Sequence, residues 1–407
     1  MMNTELINLN IKLQSLAIFR DLLSDEVIKA LIRYLNEAKN QDTVKSASLY
    51  SDFVAKIYES GKNSLAEYIN STVLNNENVF IKKVGRGEKP AASVENCLNE
   101  ELKVLQKAAD LTPAALRSAI DWDGYLPEFE VEKINIAENY KNRTENIGRF
   151  GYGIYAKHHM FYIGYDNNIV PVRNPDRTKL SSLVDYKREK QIIVDNTVAL
   201  LEGKPAANIL LTGDAGTGKS STVKAVVNEL YPKGLRILEV RKEQLREIPA
   251  ILDELNSNPL KFIIFIDDLS FQKDDDNFSA LKAILEGSVS AKSQNVVIYA
   301  TSNRRHLVKE SFSDREGDDI HRNDTMQEII SLSERFGIHI TFNKPNKETY
   351  LDIVHHLCSE NGISLETEKI DILAERYALD RGGRSARAAT QFVDGLISNG
   401  YVEKKEN

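Results

Sequence analysis

Residues 213–220 read Gly-Asp-Ala-Gly-Thr-Gly-Lys-Ser and fill every fixed position of the pattern Gly-x-x-x-x-Gly-Lys-Ser. An apolar run precedes them at 209–211, and a helical pattern follows at 221–230. In a strand–loop–helix context, glycines let backbone N–H groups turn inward around phosphate oxygens, and the helix adds the positive end of its dipole. This segment, the glycine-rich loop, therefore predicts a site for a nucleoside triphosphate.

Two side chains of the loop carry specific roles in this prediction. Lys219 is expected to reach the β- and γ-phosphates, and the Ser220 hydroxyl is expected to hold Mg²⁺. A glycine-rich turn that matches by chance is the alternative, and the correct elements on both sides argue against it. The expected nucleotide contacts are Gly213, Asp214, Ala215, Gly216, Thr217, Gly218, Lys219, Ser220 and Ser221.

Length and charge limit the remaining choices. A chain of 407 residues is expected to form two or three domains. A net charge of −7 argues against broad, nonspecific nucleic-acid binding but leaves room for a local basic patch. The two cysteines, Cys97 and Cys358, lie far apart and indicate neither a disulfide framework nor a metal site. No apolar run is long enough to cross a bilayer, so we expect a soluble, cytoplasmic protein without a membrane partner.

Periodicity divides the chain into four parts. Residues 1–149 are predicted to form a mainly helical domain, with helical patterns at 16–35, 49–57, 94–108 and 113–120 and a loop at 82–91. Residues 150–179 are predicted to form a β-hairpin with its turn at 166–168, followed by a linker. In 180–344 strands and helices alternate, which predicts an α/β fold with a parallel sheet and helices on both faces. Residues 345–407 are predicted to form a helical subdomain.

The α/β part has the following predicted elements. Strands are expected at 236–240, 261–266, 296–301 and 338–342, and helices at 183–201, 242–255 and 278–285. Three further helices are expected in the last part, at 347–359, 368–378 and 384–398.

Two carboxylates follow the apolar strand predicted at 261–266. Asp267 and Asp268 lie 48 residues and more beyond Lys219. The Mg²⁺ ligand of an enzyme with this loop lies at the carboxyl end of a neighbouring parallel strand. Asp267 is therefore expected to hold Mg²⁺, and Asp268 to orient or deprotonate the attacking water. A strand-end pair that caps a helix is the alternative.

Further polar residues follow other strands and open the last helix. Asn303, after the strand predicted at 296–301, can bond both the γ-phosphate and the attacking water. Arg335 precedes the strand predicted at 338–342, while Arg384 and Arg387 begin the last helix. Arginines can stabilise charge on a transferred phosphoryl group, although a single one is more often part of a surface salt bridge.

These elements, in this order and followed by a helical lid, resemble the AAA+ ATPase superfamily over roughly residues 180–402. The resemblance implies that GDAGTGKS is Walker A, that IDDLSF is Walker B, and that Asn303 is sensor 1. It also implies that Arg335 is the arginine finger and Arg384 is sensor 2, with Arg387 competing for the latter role. The segment SSLVDYKREKQII is similar to the AAA+ segment whose backbone, here around Leu183 and Val184, cradles adenine.

The chain as a whole resembles a bacterial family of predicted AAA+ ATPases known only as a domain of unknown function. LLTGDAGTGKSS, TSNRRHL, LSERFG and GGRSAR carry this likeness. Many AAA+ motors have Asp-Glu in Walker B, whereas this chain has Asp267-Asp268, similar to replication initiators and helicase loaders. Because aspartate is one methylene shorter, the rate of hydrolysis is left open, and ATP used mainly as a switch is an alternative.

The resemblance implies ATP and Mg²⁺ as cofactors and a homo-oligomer in which Arg335 completes a neighbour's site. Hydrolysis would then remodel or move a protein client, or a nucleic acid. The alternative is an ATP-dependent loader that binds a partner on DNA, on the basis of the Asp-Asp pair and the basic residues 304–306. A third alternative is a kinase, against which Asn303 and the position of the lid argue.

Two other features have ordinary explanations. The charged stretch 304–324 could hold a metal, but a solvated loop is favoured. Residues 343–346 (Asn-Lys-Pro-Asn) are similar to a guanine-reading motif but lack its final Asp. We interpret Asn346 as a helix N-cap and expect adenine as the base.

Overall fold

The computed structural model describes residues 2–37, 42–270, 276–286, 294–303 and 334–401. The chain divides into two compact units, Met1–Lys157 and His158–Asn407. This division falls slightly after the position 149/150 at which the sequence changes character. Each unit has a hydrophobic core of its own.

The first unit is mainly helical, as its sequence predicts. Its core contains the fully buried rings of Phe19, Tyr34, Tyr50 and Phe53. Thr112 caps a helix as predicted, because its hydroxyl accepts a hydrogen bond from the Ala115 N–H at 3.1 Å. The helices are α1 (Met2–Gln14), α2 (Glu26–Glu37), α3 (Thr43–Glu59), α4 (Leu65–Leu74), α5 (Val79–Gly85), α6 (Ala92–Ala109), α7 (Pro113–Arg117), α8 (Ile136–Glu145), α9 (Ile147–Phe150) and α10 (Ile154–Lys157).

Two boundaries predicted in this unit are wrong. The helical pattern predicted at 16–35 does not form one helix. A 3₁₀ segment lies at Arg20–Ser24, and α2 begins only after Asp25. The Asp25 carboxylate accepts hydrogen bonds from the N–H groups of Val27 and Ile28, at 3.1 Å each, and so starts the new helix. The loop predicted to begin at residue 82 begins after α5, which extends to Gly85.

The second unit is built on a seven-stranded sheet in the order β2-β1-β4-β5-β6-β3-β7. Only β2 is antiparallel to its neighbour, and the other pairs are parallel. The parallel strands therefore end along one edge, the carboxyl edge. The strands are β1 (Met160–Ile163), β2 (Ile169–Pro171), β3 (Ile209–Gly213), β4 (Leu235–Glu239), β5 (Lys261–Ile266), β6 (Val296–Ser302) and β7 (Ile338–Phe342).

The predicted β-hairpin is formed by β1 and β2. Its turn contains Asn167 in the left-handed conformation (φ 61°), which asparagine tolerates better than most residues. Met160 of β1 pairs with Ile237 of β4 in parallel, so the hairpin extends the main sheet. The residues before β1, at 154–157, form the short helix α10 rather than a strand.

Helices cover both faces of the sheet. On one face α11 (Lys187–Leu201) and α12 (Lys219–Leu230) pack against a cluster that includes Leu211 and Phe265. Their neighbours Leu210 and Ile264 point to the other face, where they are equally buried. The remaining helices of the sheet-containing part are α13 (Ile248–Asn256) and α14 (Asp276–Glu286).

Helix starts in this region differ from the predictions. The helix predicted at 183–201 begins at Lys187, and Leu183 is extended. The helix predicted at 242–255 is a 3₁₀ segment (Lys242–Glu247) followed by α13, in which Pro249 lies in the first turn.

The carboxyl-terminal helices form a subdomain with its own core, the lid. They are α15 (Lys347–Glu360), α16 (Thr367–Asp380) and α17 (Ala386–Ser398). Asn346 caps α15 as predicted, because its side chain accepts a hydrogen bond from the Thr349 N–H at 2.8 Å. Val184, which precedes α11, packs against the lid core. Across the described ranges, every helix is too short or too polar to cross a membrane.

Candidate nucleotide site at the carboxyl edge

The glycine-rich loop joins β3 to α12 at the carboxyl edge. β3 lies between β6 and β7. The strand that ends before Asp267 is β5, which is separated from β3 by β6. The sequence predicts Asp267 at the end of a strand next to β3, and the structure has it one strand further away. β6 lies between them and ends before Asn303, so all three strand ends converge.

The loop requires its glycines for steric reasons. Gly213 has φ 135°, and a Cβ there would lie 2.0 Å from the Phe342 carbonyl oxygen. Gly216 (φ 78°) and Gly218 (φ 95°) also have left-handed conformations that side chains disfavour. The Thr217 hydroxyl donates to the Asp214 carbonyl at 2.9 Å and closes the turn. The loop is therefore a fixed backbone cradle.

Lys219 is a buried cation at the centre of the site. Its side chain is 5% exposed, and its Nζ donates to the carbonyl oxygens of Gly213 (2.9 Å) and Asp214 (2.8 Å) and to Asn303 Oδ1 (3.0 Å). Burial lowers the pKa of Lys219, while the negative charges of Asp267, Asp214 and Asp268 act against this shift. An additional anion is the natural partner for a cation held in such surroundings.

The acid pair after β5 lies within hydrogen-bond distance of these groups. The hydroxyls of Ser220 and Thr301 both donate to Asp267 Oδ1, at 2.6 and 2.5 Å. Asn303 Nδ2 donates to Asp268 Oδ1 at 2.7 Å. A continuous chain of contacts thus connects Lys219 to Asp268 through the amide of Asn303.

The residues present fit a nucleoside triphosphate with Mg²⁺. Ser220 and Asp267 place a hydroxyl and a carboxylate oxygen 2.6 Å apart, which are the hard oxygen ligands that Mg²⁺ prefers. The neighbouring cradle offers backbone N–H groups, a helix amino terminus and the Lys219 ammonium. Ser221 follows Ser220 in the first turn of α12.

The segment expected to cradle adenine lies between the sheet and the lid. Leu183 is extended, and its carbonyl accepts a hydrogen bond from the Lys190 ammonium. Val184 is partly buried against the hydrophobic core of the lid. Tyr186, which sequence reasoning missed, has a left-handed backbone (φ 60°) and a ring 4.7 Å from that of Phe342, the last residue of β7.

The two lid arginines have different surroundings. Arg384 makes a bidentate ion pair with Glu375 of α16, at 2.8 and 2.6 Å. Arg387 contacts the glycine-rich loop through its backbone, because its main-chain N–H donates to the Gly216 carbonyl at 3.2 Å. Its charge also contributes to the lowered pKa of Lys219. Of the two candidates that the sequence left open, the structure brings Arg387 to the loop.

Arg335 lies at the opposite edge of the sheet. It precedes β7, which pairs with β3 so that Ile338 is opposite Ile209 and Phe342 is opposite Gly213. The four residue steps of β7 span roughly 13 Å. Arg335 is therefore separated from the glycine-rich loop of its own chain by the length of a strand.

Other segments that the sequence singled out fall outside the described residues. These are the basic residues 304–306 and the rest of the charged stretch 304–324. Asp267, Asp268 and Asn303, which follow β5 and β6, lie within the described residues.

The fold and the arrangement at the carboxyl edge define the class of protein. A parallel sheet flanked by helices carries the glycine-rich loop, the acid pair and Asn303 at converging strand ends, and a helical lid follows the last strand. This is an AAA+-like fold.

The chain belongs to the family described as "Protein of unknown function (DUF815)", whose model matches residues 156–400. Among solved structures, it is similar to the RuvB Holliday junction branch migration motor of Thermotoga maritima. That match has 16% identity and a TM-score of 0.37 and covers 56% of this chain and 68% of that chain. The HORMA:CdnC:Trip13 complex of E. coli MS115-1 matches with 13% identity and a TM-score of 0.41, over 55% of this chain and 84% of that chain. The comparison with curated proteins gave no match.

Proposed function

We propose that this protein is an ATPase that hydrolyses ATP with Mg²⁺ at a site shared between copies of the chain. The observation that carries the proposal is the chain of contacts from Lys219 through Asn303 to Asp268, beside the Ser220–Asp267 pair. Side chains of these types beside a glycine-rich loop support the proposal, because phosphoryl transfer needs a cation, metal ligands and a group that orients water.

The roles follow from the chemistry of each group. Ser220 and Asp267 hold Mg²⁺, which, when bound, neutralises phosphate charge. Lys219 exchanges its present carbonyl partners for phosphate oxygens. Asp268 accepts a proton from the attacking water or orients it, and the Asn303 amide aligns that water with the γ-phosphate.

In the lid, Arg387 is the residue proposed to contact the γ-phosphate from the same chain. Its main-chain contact with Gly216 holds this part of α17 beside the loop, and the effect of its charge on the pKa of Lys219 supports this role. The bidentate pair of Arg384 with Glu375 supports a structural role for Arg384. Because α17 carries Arg387 against the loop, a change of nucleotide would move the lid relative to the sheet.

Arg335 is proposed to act on the site of a neighbouring copy. It is separated from its own loop by the length of β7, and an arginine supplied by a second subunit is a known device of phosphoryl transfer. The protein is therefore expected to work as a homo-oligomer that remodels or moves a protein or nucleic-acid client.

The experiment that tests this function measures phosphate release by the purified full chain across a range of concentrations, with a sizing column. We expect Mg²⁺-dependent release to water that rises with oligomer formation. In Arg335→Ala, release falls on the order of 10³-fold while nucleotide binding is kept. Absence of hydrolysis in every oligomeric state would contradict the proposal, and transfer of the phosphate to another acceptor would identify a kinase.

A switch that turns over slowly is the second candidate. The observation that favours it is the Asp268 carboxylate, which is short and already bonded to Asn303. This candidate predicts tight ATP binding with turnover slower than partner release, and ATP-stimulated retention of DNA that weakens steeply with salt. If the protein does not bind DNA at low salt, with or without ATP, a switch that acts on DNA is excluded.

A further inference from the structure

We propose that Thr301, at the end of β6, is a positioning residue that sets the geometry of both members of the acid pair. This inference rests on the proposed function and deepens it. Thr301 is 2% exposed and lies two residues before Asn303. The sequence reasoning assigned it no role.

The Thr301 hydroxyl uses both of its hydrogen-bonding capacities on the acid pair. It donates to Asp267 Oδ1 at 2.5 Å and accepts from the Asp268 N–H at 2.9 Å. Its main-chain carbonyl accepts from the Leu269 N–H at 2.7 Å. Three consecutive residues after β5 are thus fixed to one residue of β6.

The contact with Asp268 has a particular conformational consequence. Asp268 has φ 54°, in the left-handed region that residues other than glycine rarely adopt. Aspartate and asparagine tolerate this region better than longer side chains do. A backbone in this conformation needs support from its surroundings, and the Thr301 hydroxyl supplies a bond to the N–H of the strained residue itself.

This conformation gives a physical reason for aspartate at position 268, where glutamate would be the common alternative. The left-handed turn directs the short carboxylate to Asn303, whose amide also contacts Lys219. A longer side chain would be disfavoured by the backbone and would extend beyond Asn303. Thr301 and the short acid therefore act as a matched pair.

The contact with Asp267 matters for the metal. Ser220 also donates to Asp267, but Ser220 is itself proposed to hold Mg²⁺. The Thr301 hydroxyl is the contact to this carboxylate that does not depend on the ion. Partners of this kind, which orient a metal ligand from behind, typically change metal affinity or activity about 10–100-fold when removed.

The test compares Thr301→Val with Thr301→Ser and with a matched control, Thr197→Val. Thr197 is equally buried, and its hydroxyl contacts Tyr299 and the Ile193 carbonyl rather than the acid pair. Readouts are nucleotide affinity in EDTA and in Mg²⁺, kcat and KM for ATP, and the melting temperature.

We expect Thr301→Val to lower kcat by about 10–100-fold and to reduce the Mg²⁺-dependent gain in nucleotide affinity by a similar factor. Affinity in EDTA stays unchanged. Thr301→Ser retains the hydroxyl and recovers most of both losses. If Thr301→Val matches Thr197→Val in kcat and in the Mg²⁺ effect, the inference is wrong.

A crystal structure of Thr301→Val separates this inference from the proposed function. We expect Asp268 to leave the left-handed region or its carboxylate to leave Asn303. An unchanged φ and unchanged carboxylate contacts overturn the inference even if the wild type hydrolyses ATP. Conversely, a wild type that neither binds nor hydrolyses ATP overturns the proposed function, whatever the conformation of Asp268.

Discussion

The carboxyl edge and the lid differ in how closely the structure follows the sequence motifs. At the carboxyl edge, Asp267, Asp268 and Asn303 follow strands whose register is fixed by backbone ladders. Hydrogen bonds connect Asn303 to Lys219 and Asp268, and Asp267 to Ser220. In the lid, the motif arginine Arg384 is engaged by Glu375, while another arginine reaches the loop. Backbone ladders fix the short side chains at the strand ends, whereas the long side chain of Arg384 extends from the segment before α17 and can pair with more than one partner. Substitutions at both places test this difference.

The largest effect on nucleotide binding is expected from Lys219→Ala. The buried ammonium is the central cation of the site, and its loss removes charge-assisted hydrogen bonds to phosphate. Nucleotide affinity should fall on the order of 100-fold in a fluorescence titration. The control is Lys224→Ala, one turn further along α12, where the lysine pairs with Glu239 at 3.6 Å. Equal losses in both variants would contradict a specific role for Lys219.

Asp268→Asn should separate binding from hydrolysis. Asparagine tolerates the left-handed backbone at this position, so the fold of the strand end is kept. Without the carboxylate, turnover should fall by about 10²–10⁴-fold while ATP affinity changes little. Single-turnover kinetics and a binding titration check this result. A variant that turns over like the wild type would remove Asp268 from the chemistry.

The two lid arginines provide the next test of the contrast. Arg387→Ala should lower turnover by about tenfold or more, because it keeps the main-chain contact with Gly216 but removes the charge that acts on Lys219. Arg384→Ala should instead lower thermal stability and leave most of the turnover, because its partner is Glu375. Steady-state kinetics and melting curves of both variants distinguish the catalytic role from the structural one. The reverse outcome would return the γ-phosphate role to Arg384.

Glu375→Gln should have the smallest effect. The Arg384 side chain holds the pKa of Glu375 below its ordinary value. The pair therefore stabilises the fold above the ordinary carboxylate pKa and loses this effect as the pH falls through the lowered pKa. Because the pair is partly exposed, the melting temperature should change by no more than about 2 °C near neutral pH. A difference from wild type that grows in acid would contradict this assignment.

The sequence predicted those elements whose structure follows from a local hydrophobic pattern. The strands predicted at 261–266 and 338–342 have those same bounds in the structure. The first contains a continuous apolar run typical of a buried strand, and the second alternates apolar with polar residues. The convergence of Asp267, Asn303 and Lys219 followed from their positions after parallel strands. What the sequence could not give was lateral strand order, and with it the position of β6 between β3 and β5.

Other differences arose from competing interactions. A helical pattern at 16–35 marked buried side chains correctly but not the new helix start that Asp25 creates. Thr301 resembles an ordinary buried strand residue, and only its contacts distinguish it. The pairing of Arg384, which precedes α17, with Glu375 of α16 leaves no signal in a single sequence.

The central claim, a site completed by a second copy of the chain, is tested most directly by mixing two inactive variants. Lys219→Ala cannot hold nucleotide, and Arg335→Ala cannot complete a neighbour's site. Co-expressed, they form interfaces in which an intact Lys219 meets an intact Arg335, so turnover should recover to roughly a quarter of wild type if subunits mix at random. The control pairs Lys219→Ala with the double variant, which should stay inactive. A mixture no more active than its two components would contradict a shared site.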